Sequence, residues 1–207
     1  MMSSAAQPPQ ILQIHREALK PGQEAEYARI EDDTARLCAS LGCPHPYLGL
    51  ESLTGPKEAW FFNGYGSVAE QLQVVEDYAR NVPLMAALQA NRARKAGLTG
   101  TAVNLFVDYL RDSSQGPAWT MGQGRFLVVA MGRSEPRFEG TLFEAADGTR
   151  MAIAPADSRS DADAGAALGG PDARVFAVRP TWSYPHQDWI AADLPFWRPA
   201  FRSDPKV

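Results

Sequence analysis

Between residues 11 and 111, strand and helix periodicities alternate in an order that few architectures accommodate. Residues 11–19 (ILQIHREAL) are strand-like and stop at a Lys-Pro-Gly break. Tyr27, Ile30, Thr34, Leu37, Cys38 and Leu41 then recur at three- and four-residue spacing, an apolar helix stripe. Glu24, Glu26, Arg29, Glu31, Asp32 and Arg36 supply its wet side. Pro21 suits the entrance of this helix, and Gly42 its exit. Residues 47–53 and 58–64 are two strands joined through the turn Thr54-Gly55-Pro56-Lys57. Ser67 and Glu70 form a capping box for a second amphipathic helix marked by Leu72, Val75, Tyr78 and Ala79. Pro83 must break or kink that helix, because it lacks an N–H and clashes with the preceding turn. A further helical piece, with Leu84, Leu88 and Asn91 on one face, runs on to Lys95. There Arg92, Arg94 and Lys95 read as cations favoured by the helix C-terminus. Residues 101–110 are again a strand.

Strand–helix–hairpin–helix–strand is the ferredoxin-like arrangement, a four-stranded antiparallel sheet with two helices on one face. The stretch ALKPGQEAEYARIEDDTARL, the hairpin, and then FFNGYGSVAEQ resemble the dimeric α/β-barrel superfamily. Within it the likeness is to NIPSNAP-like and antibiotic-biosynthesis-monooxygenase-like domains, which often pass from the first strand through a Pro-Gly turn into an acidic helix with a Glu-Tyr pair, here Glu26 and Tyr27. The resemblance covers about half the chain. It implies a homodimer whose two sheets pack face to face. Some relatives are cofactor-free oxygenases, others bind haem, and many have no known activity.

The fold class is therefore α+β, a ferredoxin-like βαββαβ sandwich over residues 11–111 followed by a β-rich second half. Residues 112–124 have linker composition, and residues 125–207 form a second lobe. That lobe contains strands at residues 126–131, 141–146, 150–154 and 174–179, with Asp147-Gly148 as a hairpin turn and a short Ala-rich helix between the last two. No long helix follows its first strand, so it is either a degenerate second copy of the domain or an unrelated lobe. Its tail gathers Trp182, Tyr184, Trp189, Phe196, Trp197 and Phe201, enough aromatic surface to pack across a body or a partner.

Composition excludes several classes. A formal net charge of -4 over 207 residues leaves no basic footprint for nucleic acid. No apolar run approaches the roughly 18 residues of a membrane span. Residues 1–10 lack the regions of a secretory signal and read as a disordered lead-in, with the cytoplasm as the expected location. Cys38 and Cys43 lack a second ligand pair for zinc, so Cys38 is expected to pack as a small hydrophobe and Cys43 to sit in the following loop. Gly122 and Gly124 precede a strand where a dinucleotide loop needs a helix. Asp161, Asp163 and Gly165 lack the glycine and the bidentate Glu of a calcium loop. No nucleophile elbow, phosphate loop or zincin helix is present.

Strand alternation assigns two faces. Leu12, Ile14, Ala18, Leu48, Leu50, Trp60, Phe62, Val103, Leu105, Val107 and Tyr109 are expected against the helices. The free face then carries Gln13, His15, Glu17, Tyr47, Glu51, Phe61, Asn63, Tyr65, Asn104, Phe106 and Asp108. Polar groups mixed with aromatics fit a barrel-lining pocket better than a watered face or a dry core. His15, Asn63 and Asn104 are the candidate catalytic residues. His15 would accept a proton, and the two amides would orient an oxygen-bearing substrate. Gln13, Glu51, Phe61, Tyr65, Phe106 and Asp108 would line the pocket. The first strand should lie between the third and fourth, which brings His15 nearer to Asn104 than to Asp108. His45 is expected at the surface, and His186 as a polar turn residue. Two functions follow: a small-molecule-binding barrel acting as a cofactor-independent monooxygenase or isomerase, with no cofactor and no metal, or a non-enzymatic dimerisation protein with a filled barrel.

Overall fold

The computed structural model describes residues 7–114, 116, 118–133 and 138–201, so the first six lead-in residues lie outside the described chain. The first half runs β1 (Ile11–Leu19), α1 (Glu24–Leu41), β2 (Leu48–Ser52), β3 (Glu58–Tyr65), α2 (Val68–Arg80), α3 (Val82–Lys95) and β4 (Thr99–Tyr109). The second half runs β5 (Phe126–Gly132), β6 (Thr141–Ala145), β7 (Arg150–Ala156), α4 (Arg159–Gly169) and β8 (Ala173–Val178). It ends on the short helices α5 (Gln187–Ala192) and α6 (Leu194–Trp197). The eight strands close into one antiparallel barrel, in the order β1-β3-β2-β8-β5-β7-β6-β4.

Local chemistry sets the elements. Gly42 ends α1 at φ 71, a left-handed turn that a residue with a Cβ adopts poorly. Ser67 Oγ accepts from the Glu70 N–H at 3.1 Å, and the Glu70 carboxylate reaches back to the Gly66 N–H at 2.6 Å. Pro83 sits in the first turn of α3, where no N–H is needed, and Asn81 caps that turn by accepting from Leu84 N–H at 3.2 Å. It starts a helix here and does not kink one.

The strand β1 lies between β3 and β4, antiparallel to both, as its sequence position requires. Within the first half the order is β4-β1-β3-β2, and within the second it is β8-β5-β7-β6. The halves join through β2 with β8 and through β4 with β6. The chain's own second half thus supplies the strands that complete the sheet.

Barrel closure reverses the expected faces. Leu12, Ile14, Leu48, Leu50, Trp60, Phe62 and Val107 point into the barrel, where they meet Leu127, Val129, Phe143, Met151, Ile153 and Phe176. The helices α1 and α3 instead cover the other face, over Ala59, Phe61 and Tyr47 together with Tyr27, Cys38 and Leu84. Both faces of this sheet are buried over much of their area. The more apolar set takes the enclosed interior because no water reaches it, and the mixed set takes the side that helices cover only in part.

Aromatic residues plug one barrel end. Trp119, from the segment of linker composition, stands 6.0 Å from the Phe62 ring and 6.5 Å from Phe143. Trp189 and Trp197 of the tail join the same core at 5.9 Å from one another. Gly122, at φ 83, lies directly against the Trp189 indole, where a Cβ would overlap the ring. Trp182 packs on the helix side, edge-on to Tyr27 at 5.8 Å. The aromatic tail therefore packs across the body of its own chain.

Two local expectations are corrected. Cys38 and Cys43 form a disulfide with Cα atoms 4.6 Å apart, because the Gly42 turn folds the chain back on the last turn of α1. His45 is buried, stacked on Tyr65 at 4.7 Å with Nε2 hydrogen-bonded to the Gly64 carbonyl at 3.0 Å. His186 caps α5 by accepting from Asp188 N–H, a polar turn role as expected. Among the described residues no helix is long and apolar enough to cross a membrane.

Candidate functional site

The pleat of β1 places Gln13, His15 and Glu17 on the helix-side face of the sheet. Register then builds rows across that face. Asn104, His15 and Phe61 form one row; Phe106, Gln13 and Asn63 form the next; Asp108, Ile11 and Tyr65 form a third. The floor deepens from the exposed β4 rim, where Phe106 is 44% exposed, to Phe61 beneath the helices.

His15 links the rim to a charged interior. Its Nδ1 lies 2.9 Å from Asn104 Oδ1, and its Nε2 lies 3.2 Å from Glu17 Oε1. Glu17 also accepts from the Tyr27 hydroxyl, and Lys95 Nζ stands 3.0 Å from Glu17 Oε2. The same ammonium pairs with Glu31 Oε1 at 2.6 Å and lies 5.4 Å from the centre of the Tyr27 ring. Tyr27 and Glu31 are four residues apart on α1, so one helix face carries both towards the sheet. Glu31 is 2% exposed, which corrects its assignment to the wet side of α1, and Lys95 is a half-buried partner in this network rather than a solvated terminal cation.

Charge counting explains the protonation pattern. Two carboxylates surround one ammonium, so a protonated His15 makes the group neutral and an unprotonated one leaves it at -1 in a poorly hydrated place. Burial works against the Glu17 charge, but hydrogen bonds from His15 and Tyr27 and the Lys95 charge hold its carboxyl down at about 2. The hydrogen bond to Glu17 outweighs burial at His15 and lifts the imidazole above its ordinary value, with Asn104 adding to it. Burial pushes the Glu31 carboxyl up against the pull of Lys95. With Nε2 donating to Glu17 and Nδ1 to Asn104, neither ring nitrogen is left open to accept a proton, the role expected of His15 from the sequence.

The structure brings His15 and Asn104 together and leaves Asn63 a row away, opposite Gln13. Gln13 Oε1 accepts from the Tyr65 hydroxyl at 3.0 Å. Phe61 lies 6.3 Å from the His15 ring. Asp108 stands exposed on the rim opposite Ile11. Glu51, on β2, lies 3.6 Å from Arg179. All of these sit on the helix side of the sheet, outside the barrel interior. Sequence reading missed Tyr27, Glu31 and Lys95 as site residues. The 27/31 spacing was visible, but nothing local ties Lys95 to a strand 78 residues earlier.

No protein-family model matches the sequence, and no curated protein matches it. Among solved structures, the chain is similar to a NIPSNAP family protein from Agrobacterium tumefaciens, at 18% identity and a TM-score of 0.39. That match covers 50% of this chain and 88% of the other. It is also similar to an anthrone oxidase-like protein, at 9% identity and a TM-score of 0.49, covering 88% of this chain and 97% of the other. No chemistry is carried from either to this chain.

Proposed function

We propose that this chain is a small-molecule-binding α/β-barrel protein that works by proton transfer on the outer face of its sheet. One observation carries the reading: a partly exposed imidazole, 27% accessible, is tied to a buried carboxylate that Lys95 and Tyr27 hold in its charged form. Structural histidines are satisfied too, but this one spans from a charged interior to an open rim. An oxygen-bearing aromatic ligand fits the place. Its ring would lie on Phe106, and its oxygen would take a hydrogen bond from Asn104 or a proton from His15. The chemistry that suits such a site is a cofactor-independent isomerisation or oxygenation, in which a protein acid and an amide steady a developing oxyanion. Asn63 contributes through Gln13 at the adjoining row.

The second half is, on this reading, a degenerate copy of the first. Its strand order, counted within the half, is again fourth–first–third–second, and among the described residues no helix lies between β5 and β6. No second molecule is needed to close the barrel. An exposed stripe on α2 and the start of α3 (Val68, Leu72, Val75 and Val82) favours the competing reading of an interaction protein, since exposed apolar surface of this kind marks partner sites.

Ligand-observed NMR with a set of phenols and quinones, run on the native protein and on His15→Ala, separates these readings. Binders that lose contact in His15→Ala support the acid site. Binders indifferent to the substitution, or none at all, would contradict it.

A further inference from the structure

The barrel end opposite the aromatic plug holds a second cluster, separate from the His15 face. Arg16 of β1 and Arg174 of β8 point inward from different walls and share one carboxylate, Glu58 of β3. Arg16 Nη2 lies 3.1 Å from Glu58 Oε1, Arg174 Nη1 lies 2.6 Å from Glu58 Oε2, and the Trp60 indole N–H donates to Oε2 at 2.7 Å. Burial works against the Glu58 charge, but Arg174, Trp60 and Arg16 together hold its carboxyl below the usual range. Two guanidiniums against one ionised carboxylate leave one positive charge in excess.

The excess resides on Arg16. Arg174 spends its remaining donors on backbone, with Nε to the Thr54 carbonyl at 3.3 Å and Nη2 to the Pro56 carbonyl at 2.7 Å. Among the described residues, Arg16 Nε is buried without a hydrogen-bond partner, and Nη1 meets only the Met131 sulfur at 3.9 Å. A buried N–H left without an acceptor is costly, and a charged one more so. The guanidinium also lies over the Trp60 ring, its central carbon 4.4 Å from the ring centre, which restrains its donors.

A ligand has a route to this edge. Arg16 and Val103 are direct cross-strand partners, and Val103 points to the inner side of the sheet yet is 44% exposed. The cause is a gap in the wall: β4 pairs with β6 only from Val107 to Tyr109, so its earlier residues pair with β1 alone. The mouth there is lined by Val103, Leu105 and Met131 around the charged edge.

We propose that this mouth binds a small monocarboxylate with an apolar body, its carboxylate on Arg16 and its body against Val103, Leu105 and Met131. One surplus charge matches one carboxylate, whose oxygens would take the donors that Glu58 leaves open on Arg16. The apolar lining disfavours a fully hydrated anion such as inorganic phosphate.

Isothermal titration of the full chain with benzoate, and in parallel with inorganic phosphate, tests this. Benzoate is expected to bind saturably, phosphate to give no saturable heat, and Arg16→Gln to weaken benzoate by at least about tenfold. Glu58 keeps Arg174 and Trp60 as partners in that variant, so the barrel end stays satisfied. Val103→Trp, which fills the gap and leaves the charge, is expected to weaken benzoate to a similar degree. Benzoate binding that is lost in His15→Ala and kept in Arg16→Gln would place the ligand on the sheet face and overturn the proposal. Absent saturation by benzoate, binding indifferent to Arg16→Gln, or equal binding of phosphate would each overturn the proposal.

Discussion

At the scale of single residues, the His15–Glu17–Lys95–Glu31 group governs how stability responds to pH. His15 is raised in the folded state, so its contribution is fully present below the unfolded value of about 6.5 and is lost as pH rises through the folded one. Glu17 is lowered, so its contribution is present above 4.5 and is lost as pH falls towards about 2. The pair is therefore worth most between those limits. Urea unfolding of the native protein and His15→Ala should differ most near pH 5.5, and the difference should shrink as pH rises to 9. A difference that grows with pH would mean the imidazole is not paired as described. Lys95→Met has a larger effect, because it strands two carboxylates below the helices. It should cost about 3–5 kcal/mol, and a cost under about 1 kcal/mol would show that water already reaches the pair.

At the scale of elements, the strands and helices were legible because their periodicities are clean, and β1 was read to its observed ends. What each strand face meets was not legible. Alternation separates Leu12 and Ile14 from Gln13 and His15, but it does not say whether the greasier set faces helices or a barrel interior. The exposed α2 stripe misled in the same way, since Leu72 and Val75 carry a core-like spacing and lie outside. The cysteines show a finer limit: five residues of separation became a bond only through the left-handed turn at Gly42. Thiol titration in denaturant without reductant should find none free, and reduction should lower stability by about 2 kcal/mol for so short a loop. A disulfide persists in oxidising compartments, which pulls against the cytoplasmic location expected from the sequence. Gly122→Ala tests the plug, because both its positive φ and its contact with Trp189 resist a methyl group. It should lower the thermal midpoint by several degrees, about 1–3 kcal/mol, and an unchanged midpoint would place the tail elsewhere.

At the scale of the whole molecule, closure of the barrel within one chain decides where each sheet face lies. The sequence left open whether the uncovered sheet meets a second copy or the chain's own second half, because pairing between distant strands leaves no local signal. The pairing of β2 with β8 and of β4 with β6 settles which strands meet, and everything functional follows from it. Closure turns the His15 face outward, seals one end with tail aromatics, and leaves the Arg16 mouth at the other. Isotope-filtered NOE spectra of an equal mixture of labelled and unlabelled protein test this directly. Contacts between Glu51 and Ala177, and between Asp108 and Glu144, should arise only within a labelled chain. Cross-peaks for those pairs between labelled and unlabelled chains would mean that the barrel closes between molecules, and would contradict the account.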